Sequence, residues 1–383
     1  MKNHDQMKFS TRAIKAGEVP DPVTGAVNTP IYETTTFAFA STRELEAGIV
    51  DSMSWKPGIC LYSRSTNPTT MALERKIASL EGAEDTAAAA CGMAAVNLAL
   101  LSNLNAGDHC IASSDIFICT RSSLEDILPS KGIEVDIVDI LNLSNIEKKL
   151  RPNTKVIYLE VLSNPRLELA DISKIAEIAH KNNIKLIVDN TFLSPYILRP
   201  LEFGADVVVH SGTKYIVGHG DALCGLVSGT KATIDRVRYY GDNLGTHISP
   251  FSSWLALRGV RTLHMRVKTQ SENALSIAKY LESKSEVKCV FYPGLESHPQ
   301  HLLAKKMFSN GFGGMVSFHL KGGHETMAKF VDNVKLMPIA VSLGDVQTLI
   351  YPKHHNGDLI RLSVGCEDVN DLIADFEQAF SNL

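Results

Sequence analysis

Apolar residues recur along the chain in two rhythms. Short runs rich in β-branched residues appear at His109-Cys110-Ile111-Ala112, Val135-Asp136-Ile137-Val138, Val156-Ile157-Tyr158-Leu159, Leu186-Ile187-Val188 and Val207-Val208-Val209, and read as buried strands. Helical spacings fall among and around them: Thr69 to Leu80 with Met71, Leu73, Ile77 and Leu80, a stretch from Ala94 to Leu104 opened by Cys91-Gly92-Met93, and Ile172 to Lys181. Such alternation predicts an α/β domain with a mostly parallel sheet covered on both faces. Ligands gather at the carboxyl ends of the strands in such sheets. The polar tails Glu160 to Pro165, Asp189-Asn190-Thr191 and His210-Ser211-Gly212-Thr213-Lys214 are therefore expected to meet in one site.

The flanks have a different texture. Roughly the first 60 residues alternate turn formers with short polar and aromatic pieces, as in Pro20-Asp21-Pro22, Thr24-Gly25 and Thr29-Pro30, which predicts an arm lying on a larger body. After about Gly245 one long helix is predicted from Pro250 to about Ser283. Mixed strand and helix follow, with turns at Gly311-Phe312-Gly313-Gly314 and Lys321-Gly322-Gly323 around a strand from Met315 to Leu320. The expected organisation is an arm over 1–60, a large α/β domain over 61–245 and a smaller α+β C-terminal domain over 246–383.

Charge narrows the function. Lys and Arg total 38 against 42 Asp and Glu, so no basic excess is available to hold nucleic acid or an anionic membrane. No apolar run approaches the roughly 20 residues that span a bilayer, and the start of the chain lacks the apolar core of a secretion signal. Seven scattered cysteines, with no Cys-x-x-Cys pair, signal neither a disulfide framework nor a metal site. A cytoplasmic protein is expected, without a metal and without a nucleic-acid or membrane partner.

Lys214 closely follows an apolar strand, where partial desolvation would give the lowered pKa that a Schiff-base lysine requires. Asp189 ends the preceding strand and could keep a pyridine nitrogen protonated. Gly92 opens a helix whose free amides suit a phosphate, and Tyr62 and Arg64 offer a hydroxyl and a bidentate guanidinium for the same purpose. Each has an ordinary alternative: a surface lysine, a turn-capping aspartate, a helix start, a solvated loop.

Several stretches taken in order carry more weight: Tyr62-Ser-Arg-Ser-Thr-Asn-Pro-Thr69, Gly92-Met93, Asp115-x-Phe117-x-Cys119-Thr120, Ser163-Asn164-Pro165, Val188-Asp189-Asn190-Thr191, His210-Ser-Gly-Thr-Lys-Tyr215, Gly218-His219, Ser342-Leu343-Gly344-Asp345 and Leu359-Ile-Arg-Leu-Ser-Val-Gly365. From about Ser10 onward the chain resembles the pyridoxal-phosphate (PLP)-dependent Cys/Met metabolism enzymes, the trans-sulfuration family. The resemblance implies a fold-type I PLP-dependent transferase-like architecture and pyridoxal 5′-phosphate as cofactor. It implies that Lys214 carries the cofactor aldehyde and moves protons, that Asp189 pairs with the pyridine nitrogen, and that Asn164 hydrogen-bonds the ring's 3′ oxygen. Gly92, Met93, Ser211 and Thr213 would hold the phosphate, with Tyr62 and Arg64 reaching in from a neighbouring subunit. Ser342 and Arg361 would clamp the α-carboxylate of an amino-acid substrate. Shared sites imply a homo-oligomer, expected to be a tetramer built as a dimer of dimers.

The chain departs from that family at several points. Phe117 stands where a tyrosine usually stacks on the cofactor ring; stacking survives and the phenolic acid is lost unless another donor such as Tyr62 substitutes. Ile118 in place of the common glycine points to a rebuilt loop. Residues 351–358 shorten the substrate-side wall and bring His354 and His355 forward as possible substrate contacts or solvated turn residues. Val341 replaces the glutamate that cystathionine γ-lyases tend to have, and Cys119 matches methionine γ-lyases. The resemblance therefore implies γ-elimination on a sulfur amino acid, methionine first, giving a thiol, ammonia and a 2-oxo acid. The alternatives are γ-replacement on an activated homoserine ester, cystathionine cleavage, and, on the strength of Phe117 alone, a PLP-binding protein without efficient turnover.

Overall fold

The computed structural model describes residues 6–53, 55, 58–354 and 357–383. The five predicted apolar runs are strands, joined by two more: β1 (Asp85–Ala89), β2 (His109–Ser113), β3 (Glu134–Val138), β4 (Thr154–Glu160), β5 (Lys185–Asp189), β6 (Val207–Ser211) and β7 (Gly225–Gly229). They form one sheet in the order β1-β7-β6-β5-β4-β2-β3. Pairing is parallel from β3 through β6, whereas β7 runs antiparallel to both its neighbours. Alternate residues of β4 point to opposite cores: Ile157 and Leu159 pack with Ile175 and Ala179 of the helix Ile172–Lys181, and Val156 and Tyr158 with Val96 and Leu100 of the helix Gly92–Leu101. Both faces are apolar because both are covered.

β1 and β7 carried no recognisable strand signal, being built largely from Ala, Gly and Ser. Their smallness serves close approach rather than β propensity. A Cβ on Gly225 would lie 2.0 Å from the Cys91 carbonyl oxygen, so only glycine lets the start of the neighbouring helix seat on this strand.

The helix Pro68–Glu81 has its start and stop written into it. The Asn67 side chain accepts a hydrogen bond from the Thr69 amide at 3.0 Å, proline occupies the first turn, and Gly82 closes the end at φ +73°. Its Lys76 is fully buried, donates to the carbonyls of Ala13 and Ile14 at 2.9 and 3.1 Å, and pairs with Glu18 at 2.8 Å. These bonds tie the N-terminal segment, including the helix Phe9–Lys15, to the larger body.

The single helix expected from Pro250 to about Ser283 is in fact two, Pro250–Val260 and Leu263–Glu282. The apolar spacing runs through the break, so periodicity conceals it. At the break Gly259 presses on the chain just beyond Lys214, where a Cβ would lie 2.2 Å from the Val217 carbonyl oxygen. Arg266 donates to the carbonyls of Tyr215 and Gly259, each at 2.8 Å. Two helix segments thereby satisfy backbone that one straight helix would leave buried without partners.

A second, antiparallel sheet contains β8 (Val287–Phe291), β9 (Met315–Leu320), β10 (Leu349–Lys353) and β11 (Leu359–Ser363) in the order β10-β11-β9-β8. Phe318, Phe330 and Phe376 anchor its core against the helices Gly323–Asn333 and Val369–Phe380. Ile248, Ala256, Leu257 and Val260 pack instead with Leu73, Ile77 and Leu226 of the larger layer.

Candidate active site

The register of the large sheet sets Glu160, the last residue of β4, opposite Asp189, the last residue of β5. One Asp189 oxygen accepts from the Thr191 amide at 2.8 Å, and the Tyr158 hydroxyl lies 3.5 Å from the other. Burial pushes the Asp189 carboxyl up, and the bonds from Thr191 oppose it. Behind it, fully buried, His210 on β6 meets Glu81 at 2.5 Å.

Beyond β6 the chain turns, and Lys214 Nζ comes 2.8 Å from the Ser342 hydroxyl. Burial first, then the nearby Arg361 charge, holds the Lys214 amine below its ordinary pKa. Ser342 sits at φ +84°, a costly backbone conformation for a residue with a side chain. Gly344, two residues on, is pressed so closely against Lys214 and Tyr215 that a Cβ there would lie 2.6 Å from the Tyr215 nitrogen.

Arg361, on β11, completes this chain of contacts. It donates to the Ser342 carbonyl at 2.9 Å and to the Asn164 side-chain oxygen at 3.3 Å, and its guanidinium lies 5.2 Å from the centre of the Tyr351 ring. The residue is 5% exposed, and its Nε is buried with no hydrogen-bond partner among the described residues. Burial pushes its pKa to about 10, which still leaves it cationic. A buried, partly unsatisfied cation calls for an anion.

The helix Gly92–Leu101 begins at Cys91 without any side-chain cap. A Cβ on Gly92 would lie 2.6 Å from the Ser211 hydroxyl oxygen, so bare helix amides and a hydroxyl sit together with no room for a side chain between them. That is a cradle for an anion at a helix start. The Met93 sulfur accepts from the Thr120 hydroxyl at 3.7 Å. Thr213 spends its hydroxyl locally, accepting from the Cys224 amide at 2.9 Å and donating to the Cys224 carbonyl at 3.3 Å. The Phe117 amide donates to a Glu160 carboxylate oxygen at 2.7 Å, leaving the ring 42% exposed.

Tyr62 and Arg64 stand elsewhere. The Arg64 guanidinium lies 5.2 Å from the Tyr62 ring centre, and Arg64 lines a cavity with Glu74, Arg238, Asp242 and Thr246. His354 bonds Asp358 at 3.1 Å, and His355 lies outside the described residues. Val341 and Cys119 are both exposed.

Two titratable groups at this site had no role assigned from the sequence, although Glu160 opens one of the polar tails and Lys353 lies in the 351–358 stretch. Glu160 is half-buried, and desolvation together with the adjacent Asp189 charge pushes its carboxyl well above the usual carboxylate range. Its signal was available, since it ends an apolar strand just as Asp189 does. Lys353 places its amine 3.1 Å from the Asn164 side-chain oxygen, and burial followed by the Arg361 charge lowers its pKa to about 8. Strand alternation would have put Tyr351 and Lys353 on one face, but only pairing aims that face at Asn164.

A desolvated lysine, a half-buried carboxylate at a neighbouring strand end, and an uncapped helix start against Ser211 fit a phosphorylated pyridine aldehyde. Comparison with known proteins points the same way. A family model described as Cys/Met metabolism PLP-dependent enzyme matches residues 10–381. The chain is 41% identical to an L-methionine gamma-lyase of Treponema denticola, covering 100% of this chain and 99% of that protein. It is 39% identical to a cystathionine gamma-lyase of Bacillus subtilis, covering 98% of this chain and 100% of that protein. Its structure is similar to the crystal structure of metB from Corynebacterium glutamicum, with a TM-score of 0.93, 38% identity and 99% of each chain covered.

Proposed function

The chain belongs to the Cys/Met metabolism family of PLP-dependent enzymes, and as a fold-type I PLP-dependent lyase we propose that it cleaves methionine at the γ-carbon. Methionine and water would give methanethiol, ammonia and 2-oxobutanoate. The observation that carries the substrate choice is Val341: it directly precedes Ser342 and is 68% exposed, so an apolar side chain rather than a charged one faces outward beside the clamp.

The bound cofactor supplies an electron sink for negative charge at the substrate's Cα. Lys214 would hold its aldehyde, Asp189 its ring nitrogen, Asn164 its ring oxygen, and the start of the helix at Gly92 and Met93, with Ser211 and Thr213, its phosphate. Lys214 Nζ, its basicity already lowered by burial, takes the Cα proton and returns one later at a neighbouring carbon. Ser342, hydrogen-bonded to that amine, orients it. Arg361 offers its Nε, unpartnered among the described residues, and the fork around it to the α-carboxylate. Phe117 has no proton to donate, and Tyr62 of a neighbouring copy would supply the acid at the leaving sulfur, with Arg64 beside it. This reading makes the protein a cytoplasmic homotetramer of two site-sharing dimers. It is supported by the cavity that Arg64 lines, which includes none of Lys214, Asp189, Ser342 and Arg361, and by seven cysteines that are all free.

Phe117 favours a second reading, γ-replacement on an acylated homoserine, whose leaving group needs no proton. Product analysis by mass spectrometry separates the two. The protein is incubated with methionine, cystathionine or O-acetylhomoserine, each with and without sulfide. 2-Oxobutanoate from methionine alone is the expected result. Homocysteine from the ester plus sulfide, with methionine intact, would establish the replacement enzyme.

A further inference from the structure

β10 and β11 pair antiparallel with Tyr351 opposite Arg361 and Lys353 opposite Leu359. Side chains two apart on a strand share a face, so Tyr351, Lys353 and Arg361 project together toward Asn164. The Lys353 amine and the Arg361 guanidinium converge on one neutral atom, the Asn164 side-chain oxygen, at 3.1 and 3.3 Å. Two cations brought this close to a single uncharged acceptor repel each other unless an anion lies between them.

The other charges nearby do not fill that role. Glu160 lies within reach of the Lys353 charge but is turned to the Phe117 amide and held toward its neutral form. Asp115 also raises the Lys353 pKa, but its side chain is engaged by Glu168. Arg361 feels burial, Tyr351 and Tyr215 as its main influences. The missing charge is that of a ligand, and the buried Arg361 Nε, unpartnered among the described residues, faces the same demand.

We propose that Lys353 is the second cation of the carboxylate clamp, holding the substrate's α-carboxylate together with Arg361. The inference rests on the reading that Arg361 binds that group. Lys353 thereby acts as a substrate-positioning residue at the end of β10. A clamp of two cations suits a small amino acid whose side chain offers little binding surface of its own, since the carboxylate must then carry most of the recognition.

The test compares Lys353→Met with the parent in its cofactor-loaded form, using methionine and 3-(methylthio)propylamine, which is methionine without its carboxylate. Kinetics give KM and kcat for methionine, and the change in cofactor absorbance gives Kd for both ligands. The expected result is a rise in methionine KM and Kd of roughly 10- to 100-fold, the loss of one charged hydrogen bond. kcat should stay near the parent value, as for lost uniform binding, and the amine's Kd should not move. Lys353→Arg should recover most of the affinity, and Lys353→Gln serves in place of the Met variant if that one does not fold. An unchanged methionine Kd, an equal loss for the amine, or a fall in kcat at constant KM would each overturn the proposal. Arg361→Met is measured in parallel. If it also leaves methionine binding intact, the carboxylate-clamp reading falls along with the role of Lys353; if it alone weakens binding, only Lys353 is withdrawn.

Discussion

Asp189, Ser211 and Lys214 leave the ends of two adjacent parallel strands, close together in sequence and held by backbone. Asn164, Ser342, Lys353 and Arg361 come from separate stretches and meet only through side chains reaching across from the small sheet. The first group sits on a platform whose positions are set by sheet register and by close backbone contacts at Gly92 and Gly225, where added side-chain atoms would collide. The second depends on which face of a hairpin is presented, and one inserted or deleted residue would change it. A scaffold built this way can keep one chemistry while its substrate wall is rewritten.

The sharpest way to break that contrast is at the platform. Lys214→Ala should lower turnover at least by the roughly 10²–10⁴-fold that a positioned proton carrier supplies. Peptide mass spectrometry after borohydride reduction should then find no cofactor on residue 214. Turnover close to the parent value would mean that strand-end chemistry does not run the reaction.

A smaller effect is expected where platform and wall meet. Tyr62 reaches in from a neighbouring copy and replaces the phenolic acid only in part, so Phe117→Tyr should add a donor, raising methionine turnover by about tenfold or more, still short of what a fully positioned acid supplies. Turnover of O-acetylhomoserine should rise less. If both rates change by the same factor, or both fall, the missing-acid account is wrong.

The smallest effect concerns Glu160 and is read in stability rather than rate. Its folded-state pKa lies above the unfolded value because burial and Asp189 oppose ionisation. Below the unfolded pKa the group is protonated in both states and exerts no penalty. As pH rises past that value, the unfolded chain ionises first, and stability falls until the folded pKa is passed. Glu160→Gln mimics the protonated form and can still accept from the Phe117 amide. The Tm of the cofactor-free variant should exceed that of the parent by more at pH 8 than at pH 5. A gain of the same size at both pH values would show that Glu160 ionises normally and that the carboxyl pair exerts no such strain.

By itself the sequence determined the parallel core and the location of its polar strand ends. Runs such as Val156-Ile157-Tyr158-Leu159 and Val207-Val208-Val209 are apolar at every position because both faces are buried, and the polar residues that follow must emerge at one edge. The positions of Lys214 and Asp189 at those ends were legible for that reason. Only the tertiary structure decided the glycine- and alanine-built β1 and β7, the break between Val260 and Leu263, the pairing of Glu160 beside Asp189, and the convergence of Lys353 with Arg361 on Asn164. Each depends on what another part of the chain brings close: a helix start against Gly225, buried carbonyls after Lys214, a second carboxylate in register, a cation across a hairpin. Periodicity records whether a residue is buried. The partner it meets, and hence its charge state and chemistry, is set by packing at a distance along the chain.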